Sequence, residues 1–219
     1  MTSRIFIDLV MTILILFALA FRITGDVLHE WIGIVVYILF VIHNIMNHYW
    51  YKQLFIKKKK RSFNRRFNAI INLFLIVIMS VALVTGLAQS KSVLGFLDLT
   101  GSMLLRQIHS VSSYWGYILI SVHLGIHWQM VSKYFFGKLT NNINRGFYQF
   151  LFPTLGFGMA IGGVWAFIER DMYSKLLLGM SFDFWDKSAV LFFVYHLFIM
   201  ALFVWITFYI LKVISYFKK

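Results

Sequence analysis

Seven histidines occur in the 219 residues, and four of them keep a fixed spacing. His29 and His43 bracket LHEWIGIVVYILFVIH, and His109 and His123 bracket IHSVSSYWGYILISVH, fourteen residues apart in each case. On a helix fourteen residues turn through about 1400°, within about 40° of a whole number of turns, so the two imidazoles of each segment share one face. They stand about 21 Å apart along the axis. An imidazole in an apolar stretch is costly unless it has a partner. The chemistry it offers there is a hydrogen bond, a proton transfer, or a nitrogen lone pair for a metal.

The elements that must position these side chains are membrane helices. The chain is 60% hydrophobic and only 13% charged, and its mean hydropathy is +0.77. That is too little charge to cover a soluble globule of this size. Apolar runs fall at 5–22, 31–51, 67–88, 107–130, 147–168 and 188–213. Each is near the roughly 20 residues that a bilayer crossing requires. Helices are the open-ended way to satisfy the backbone in lipid, so the expectation is an all-α integral membrane protein of six transmembrane helices. It forms one membrane domain over 1–219, with a first helix pair at 1–51, a second at 67–130 and two additional C-terminal helices at 147–215. Ala18-Leu19-Ala20 resembles a signal-peptide cleavage site. The run from Ile5 to Phe21 is nonetheless long for such a segment and contains Asp8, so it is read as a retained span.

Charge placement orients the spans. The termini and two of the loops hold Arg4, Lys52, Lys57–Lys60, Arg61, Arg65, Arg66, Lys133, Lys138, Arg145, Lys212, Lys218 and Lys219, fifteen of the 21 basic residues. The opposite side holds Asp26, Glu30, Asp98, Glu169, Asp171, Asp183 and Asp186, seven of the eight acids. By the positive-inside rule both termini are expected in the cytoplasm. The formal charge of +13 is thereby accounted for by topology and anionic lipid headgroups, with no nucleic-acid partner. The absence of cysteine excludes disulfides and thiolate metal sites. Pro153 with Gly156, Gly158, Gly162 and Gly163 in the fifth run predicts close helix packing. Trp31 and Trp115 are expected at the outer interface, and Trp50 and Trp128 at the inner one.

The histidines belong to an internal repeat. Laying Leu28–Trp50 over Ile108–Met130 puts His29 on His109 and His43 on His123, and each preceding span ends in a Thr-Gly pair, Thr24-Gly25 and Thr85-Gly86. Spans two and four then run the same way. His29 and His109 meet at an outer level, and His43 and His123 at an inner one, giving two stacked bis-imidazole sites. Porphyrin iron takes two axial ligands on opposite faces of its ring, and neutral imidazole suits it. The expectation is therefore two haems, with His29, His109, His43 and His123 as metal ligands. Gly25, Gly33, Gly86, Gly116 and Gly125 provide room between helices, and Arg22, Arg106 and Lys52 are candidate partners of the haem propionates. A small ion such as zinc is less apt, since those sites usually recruit carboxylates or cysteines. Asp8 is the only acid inside an expected span. His127, four residues after His123, is the alternative inner ligand, while His48 and His196 are open between structural hydrogen bonds and roles in proton transfer or quinone binding.

The pattern of paired His-x13-His helices resembles di-haem membrane cytochromes b. The residues Thr24, Gly25, His29, Glu30, Gly33, His43 and Trp50, with His109, Gly116, His123, His127 and Trp128 in the second copy, are similar to the flavinylation-associated cytochromes. The resemblance covers about residues 20–130 and implies b-type haem and electron transfer; spans five and six carry no motif. With no nucleotide-binding motif and no soluble domain, the chain is expected to be the electron-transfer membrane component of a quinol-linked oxidoreductase. The expected donor is membrane quinol, and the expected acceptor an extracytoplasmic flavoprotein or cytochrome. The alternatives are a ferric-reductase-like or hydrogenase-type cytochrome b subunit and, from another class, a divalent-metal transporter that uses the histidines as waypoints.

Overall fold

The computed structural model describes residues 2–55, 62–93, 95, 102–142, 145–177 and 188–217, apart from the side chains at 2–3, 53–55, 138–142 and 145–149. Lys57–Lys60, Arg61, Asp98, Asp183, Asp186, Lys218, Lys219 and the side chains of Lys138 and Arg145 lie outside the described residues. Those described form helices and no strand: α1 (Thr2–Leu19), α2 (Phe21–Met46), α3 (His48–Phe55), α4 (Phe63–Leu87), α5 (Met103–Asn142), α6 (Arg145–Glu169), α7 (Met172–Leu176) and α8 (Ala189–Phe217).

Four stretches are long and apolar enough to cross a membrane: Phe21–Met46, Phe63–Leu87, Phe150–Glu169 and Ala189–Phe217. The residues of the other two expected spans, 5–22 and 107–130, are helical, in α1 with the start of α2 and in the first part of α5, and neither stretch is among these four. The polar content of α5 dilutes its hydropathy, because His109, Ser112, Ser113, Ser121, His123 and His127 all lie within it. Ser112 and Ser121 are buried, and their hydroxyls donate to the His109 and Tyr117 carbonyls at 3.0 and 2.8 Å. A hydroxyl that bonds back into its own helix needs no other polar partner.

Helix α5 is the hub. One side packs on α4 and the other on α8, while α1 packs on α2 and α6 on α8. The larger core joins Leu16 of α1, Tyr114, Tyr117 and Ile118 of α5, Ala166, Met172, and Tyr195, Ile199, Met200 and Val204 of α8. Trp128, expected at the interface, packs against this cluster. A smaller core of Ile15, Ile32 and Val36 takes in Met79 of α4 and Ile120 of α5. It lies between the two histidine levels, since positions 32 and 36 fall between 29 and 43 and position 120 falls between 109 and 123.

Several boundaries differ from those expected. The first connection is the single residue Ala20, not a loop over 22–31. Its carbonyl accepts the Ile23 and Thr24 amides at 2.8 and 3.0 Å, so the next helix starts at once. Thr24-Gly25 therefore opens α2 instead of closing span one. Gly25 has φ +70° and ψ 176°, a conformation available in practice to glycine alone, and it breaks the helix axis there. No atom lies within 4 Å of where its Cβ would be, so conformation and not space demands glycine. At the other end α2 stops at Met46, and Asn47 turns the chain into α3.

Of the α6 glycines, Gly162 and Gly163 pack closely as expected, Gly156 makes an ordinary contact with Trp205, and Gly158 faces open space. A Cβ on Gly163 would overlap the Phe198 carbonyl oxygen and come within 2.7 Å of Leu202 Cβ, and one on Gly162 would meet the Phe198 ring at 2.9 Å. Gly125 plays the same part between α5 and α8, where its Cβ would meet Thr207 and the Val204 carbonyl at 2.8 Å. Gly163→Ala should cost roughly 1–3 kcal/mol through overpacking of α6 on α8, read as a lower melting temperature in detergent. Gly158→Ala, whose Cβ would meet nothing within 4 Å, should leave the melting temperature unchanged or raise it.

Candidate functional site

The repeat histidines are each held by the helix that precedes their own. His29 Nδ1 donates to the Ala18 carbonyl of α1 at 3.0 Å, and His43 Nδ1 donates to Asp8 Oδ1 of α1 at 2.6 Å. His109 Nδ1 donates to the Ala82 carbonyl of α4 at 2.9 Å, and His123 Nδ1 donates to Asn72 Oδ1 of α4 at 2.9 Å. Asp8 and Asn72 stand 64 residues apart in the chain, and so do Ala18 and Ala82. The duplication thus extends to the acceptors, in register. In that register Thr85-Gly86 aligns with Phe21-Arg22, so the two Thr-Gly pairs are three residues out of structural correspondence.

These bonds fix the chemistry of each ring. Carbonyl and carboxylate oxygens only accept, so the Nδ1 atoms facing them carry the proton, and Nε2 of the neutral imidazole keeps its lone pair. Ala18 is the next-to-last residue of α1, where a helix carbonyl lacks an in-helix partner, so His29 satisfies an otherwise orphaned acceptor. His48 and His196 also bond through Nδ1, but to the Ile45 and Phe192 carbonyls of their own or the adjacent turn, at 2.9 and 2.8 Å. His196 is fully buried, its ring stacked on Phe192 at 4.0 Å, and its own carbonyl accepts the Tyr117 hydroxyl. These contacts set His196 at the packing of α5 on α8.

At the outer level the His29 and His109 rings lie 6.0 Å apart between centroids and are nearly perpendicular, at 84°. Gly86 sits against His109: a Cβ there would come within 3.0 Å of Cε1. The Thr85 hydroxyl is 3.3 Å from His109 Nδ1. Gly33 has open space within 4 Å of its would-be Cβ, whereas that of Gly116 would touch Ile78 and Met79 at 3.5 Å, making Gly116 an α4 contact. Arg22 and Arg106 are exposed near this end.

Glu30, beside His29, has a role that spacing does not disclose. Its Oε2 accepts the Ser90 hydroxyl at 2.7 Å and the Val93 amide at 2.9 Å, and its Oε1 accepts the Lys91 amide at 2.8 Å. The Ser92 amide lies 3.1 Å from Oε2. The carboxylate thus clasps the chain leaving α4 onto α2, over the outer histidines. Gln89 ties the same end of α4 to α5 by donating to the Thr85 and Leu105 carbonyls at 2.7 and 3.1 Å.

At the inner level His43 is within electrostatic reach of both His123 and His127, and Asp8 of His127. With His29 beside His109 at one end and His43 near His123 at the other, α2 and α5 run the same way. The His123 and His127 rings are 4.7 Å apart. Asn72 orients His123, whereas among the described residues no hydrogen bond orients His127. Asn47 Nδ2 lies 3.4 Å from His43 Nε2. Lys52 is exposed, with its ammonium 5.4 Å from the Tyr49 ring centre. Among the described residues no three histidines or acids come together as a metal cage.

The first-copy and second-copy acceptors, and Glu30, are what sequence reasoning missed. The equal offset of 64 residues from Asp8 to Asn72 and from Ala18 to Ala82 was the available signal. Comparison of the chain with protein-family models, curated proteins and solved structures gave no match.

Glu30→Ala should free the clasped segment: amide hydrogen exchange at Lys91, Ser92 and Val93 should speed up, while the amides of α8 keep their protection.

Proposed function

We propose that the chain is a di-haem b-type membrane cytochrome that passes electrons across the bilayer, from membrane quinol to an extracytoplasmic flavoprotein or cytochrome. The observation that carries this reading is the repeated second tier. Four histidines at two levels each spend Nδ1–H on an acceptor of the preceding helix and so hold Nε2 as a lone pair, the arrangement that metal-ligating histidines favour. Six transmembrane helices, both termini in the cytoplasm and a bacterial cytoplasmic membrane belong to the same proposal, supported by the four apolar helices and the charge pattern.

The donor set fits the group. A haem iron would be held by one imidazole nitrogen from each of two histidines, whose rings must therefore face each other across a gap. The observed 6.0 Å between His29 and His109 agrees with this. A site built from two ligands also needs no third histidine or acid, unlike a small-ion cage. His29 and His109 would hold the outer haem, and His43 and His123 the inner one, with His127 beside the latter. A bound haem would supply a one-electron couple at each level.

The chain's own residues do the rest. Ala18, Ala82, Asp8 and Asn72 fix the rings and raise the basicity of Nε2. Gly86 leaves the space in which His109 turns, and Gly33 leaves its surroundings open. Arg22 and Arg106 at the outer level and Lys52 at the inner level offer cations to propionates. Ile15, Ile32, Val36, Met79 and Ile120 keep water from the layer between the levels. The two ligand levels are about 21 Å apart along α2, from fourteen residues at 1.5 Å rise.

The purified protein should show a Soret band, with α bands that sharpen on dithionite reduction. His29→Ala and His109→Ala should each remove one haem per chain and leave the other, counted by pyridine haemochrome. A colourless protein would exclude haem, and loss of both haems or of neither would reject the pairing.

A further inference from the structure

The two halves match in register but differ in one atom that matters. The acceptor for His43 is a carboxylate, Asp8 Oδ1 at 2.6 Å; its counterpart for His123 is a neutral amide, Asn72 Oδ1 at 2.9 Å. At the outer level both acceptors are backbone carbonyls, those of Ala18 and Ala82. Among the described residues, His43 alone of the four repeat histidines hydrogen-bonds to an acidic side chain. The acids nearest the outer level differ in kind. Glu30 and Asp26 act on His29 through space without a hydrogen bond to it: Glu30 turns its carboxylate to Ser90, Lys91, Ser92 and Val93, and Arg22 and Arg106 stand at this end as Lys52 does at the other.

A carboxylate that accepts from an imidazole makes the opposite nitrogen a stronger donor. A stronger donor and a nearby negative charge both favour the more positive, oxidised state of a bound iron, which lowers its reduction potential. We propose that the Asp8–His43 hydrogen bond makes the His43/His123 site the lower-potential one, so that electrons run from it towards His29/His109. This rests on the haem reading above and adds to it a direction. With haem held at both levels, a single electron would leave the His43/His123 site and arrive at the His29/His109 site, and no proton would be exchanged between them. Asp8 is here a positioning residue, acting through His43 and touching neither reactant.

The test is redox potentiometry of the haem-loaded protein at one fixed pH, followed in the α band. Wild type should titrate with two midpoints. The His29→Ala protein, which keeps only the inner haem, should retain the lower one. Asp8→Asn should raise that midpoint and leave the other in place, and Asn72→Asp should lower the same midpoint further. Asp8→Glu, which keeps the charge, should stay near wild type; a role of Asp8 in folding alone would not give opposite shifts in D8N and N72D. If D8N loses the inner haem, the N72D shift and the midpoint retained by H29A decide the matter. Two haems with an inner midpoint that neither variant moves, or that lies above the outer one, would overturn this proposal alone. A wild-type protein with no Soret band would overturn the haem reading and this one with it.

Discussion

The constraint on which the rest of the structure depends is the N–H of a neutral imidazole inside an apolar bundle. Leaving it unpaired costs a few kcal/mol, and four such groups would consume a large share of a domain's stability. Each is satisfied by the neighbouring helix, and that requirement fixes where α1 lies against α2 and where α4 lies against α5. The bonds reach from Ala18 and Asp8 to α2 and from Ala82 and Asn72 to α5. A helix of mixed polarity such as α5 is then held by directional contacts on one side and by tight packing on the other. Gly125 admits α8 there, and Tyr117 bonds the His196 carbonyl.

The histidine framework was legible in the sequence because it is written in a period. A fourteen-residue spacing, repeated, encodes a shared helical face and needs no tertiary knowledge. What the structure gives directly is the proximity of His29 and His109, whose rings stand 6.0 Å apart. The acceptors were harder to see. Asp8 could be noticed as a lone acid, but a backbone carbonyl carries no residue type, so Ala18 and Ala82 read as ordinary small residues. Only the common offset of 64 links them to Asp8 and Asn72.

The Thr-Gly match misled for a related reason. Thr85 and Gly86 close α4 against His109, whereas Thr24 and Gly25 open α2, and Gly25 is needed for its φ of +70°. Two identical dipeptides thus answer different physical demands. The one-residue junction at Ala20 was equally hidden, because an apolar run continues through it without a turn signal. Glu30 looked like one of several outer acids; its clasp depends on where the chain goes after α4, which helical periodicity does not encode.

The side chains of Ile15, Ile32, Val36, Met79 and Ile120 between the two histidine levels carry no group that can gain or lose a proton, while Tyr37, Tyr114 and Tyr117 stand at positions between the same levels. Under the proposed function an electron would cross this layer without a companion ion on those five side chains. Such a transfer moves net charge through the dielectric of the bilayer. Its driving force would therefore include the voltage across the membrane as well as the difference between the two sites. The bundle would then act as an element of an electrical circuit, whose throughput responds to the energised state of the membrane that holds it.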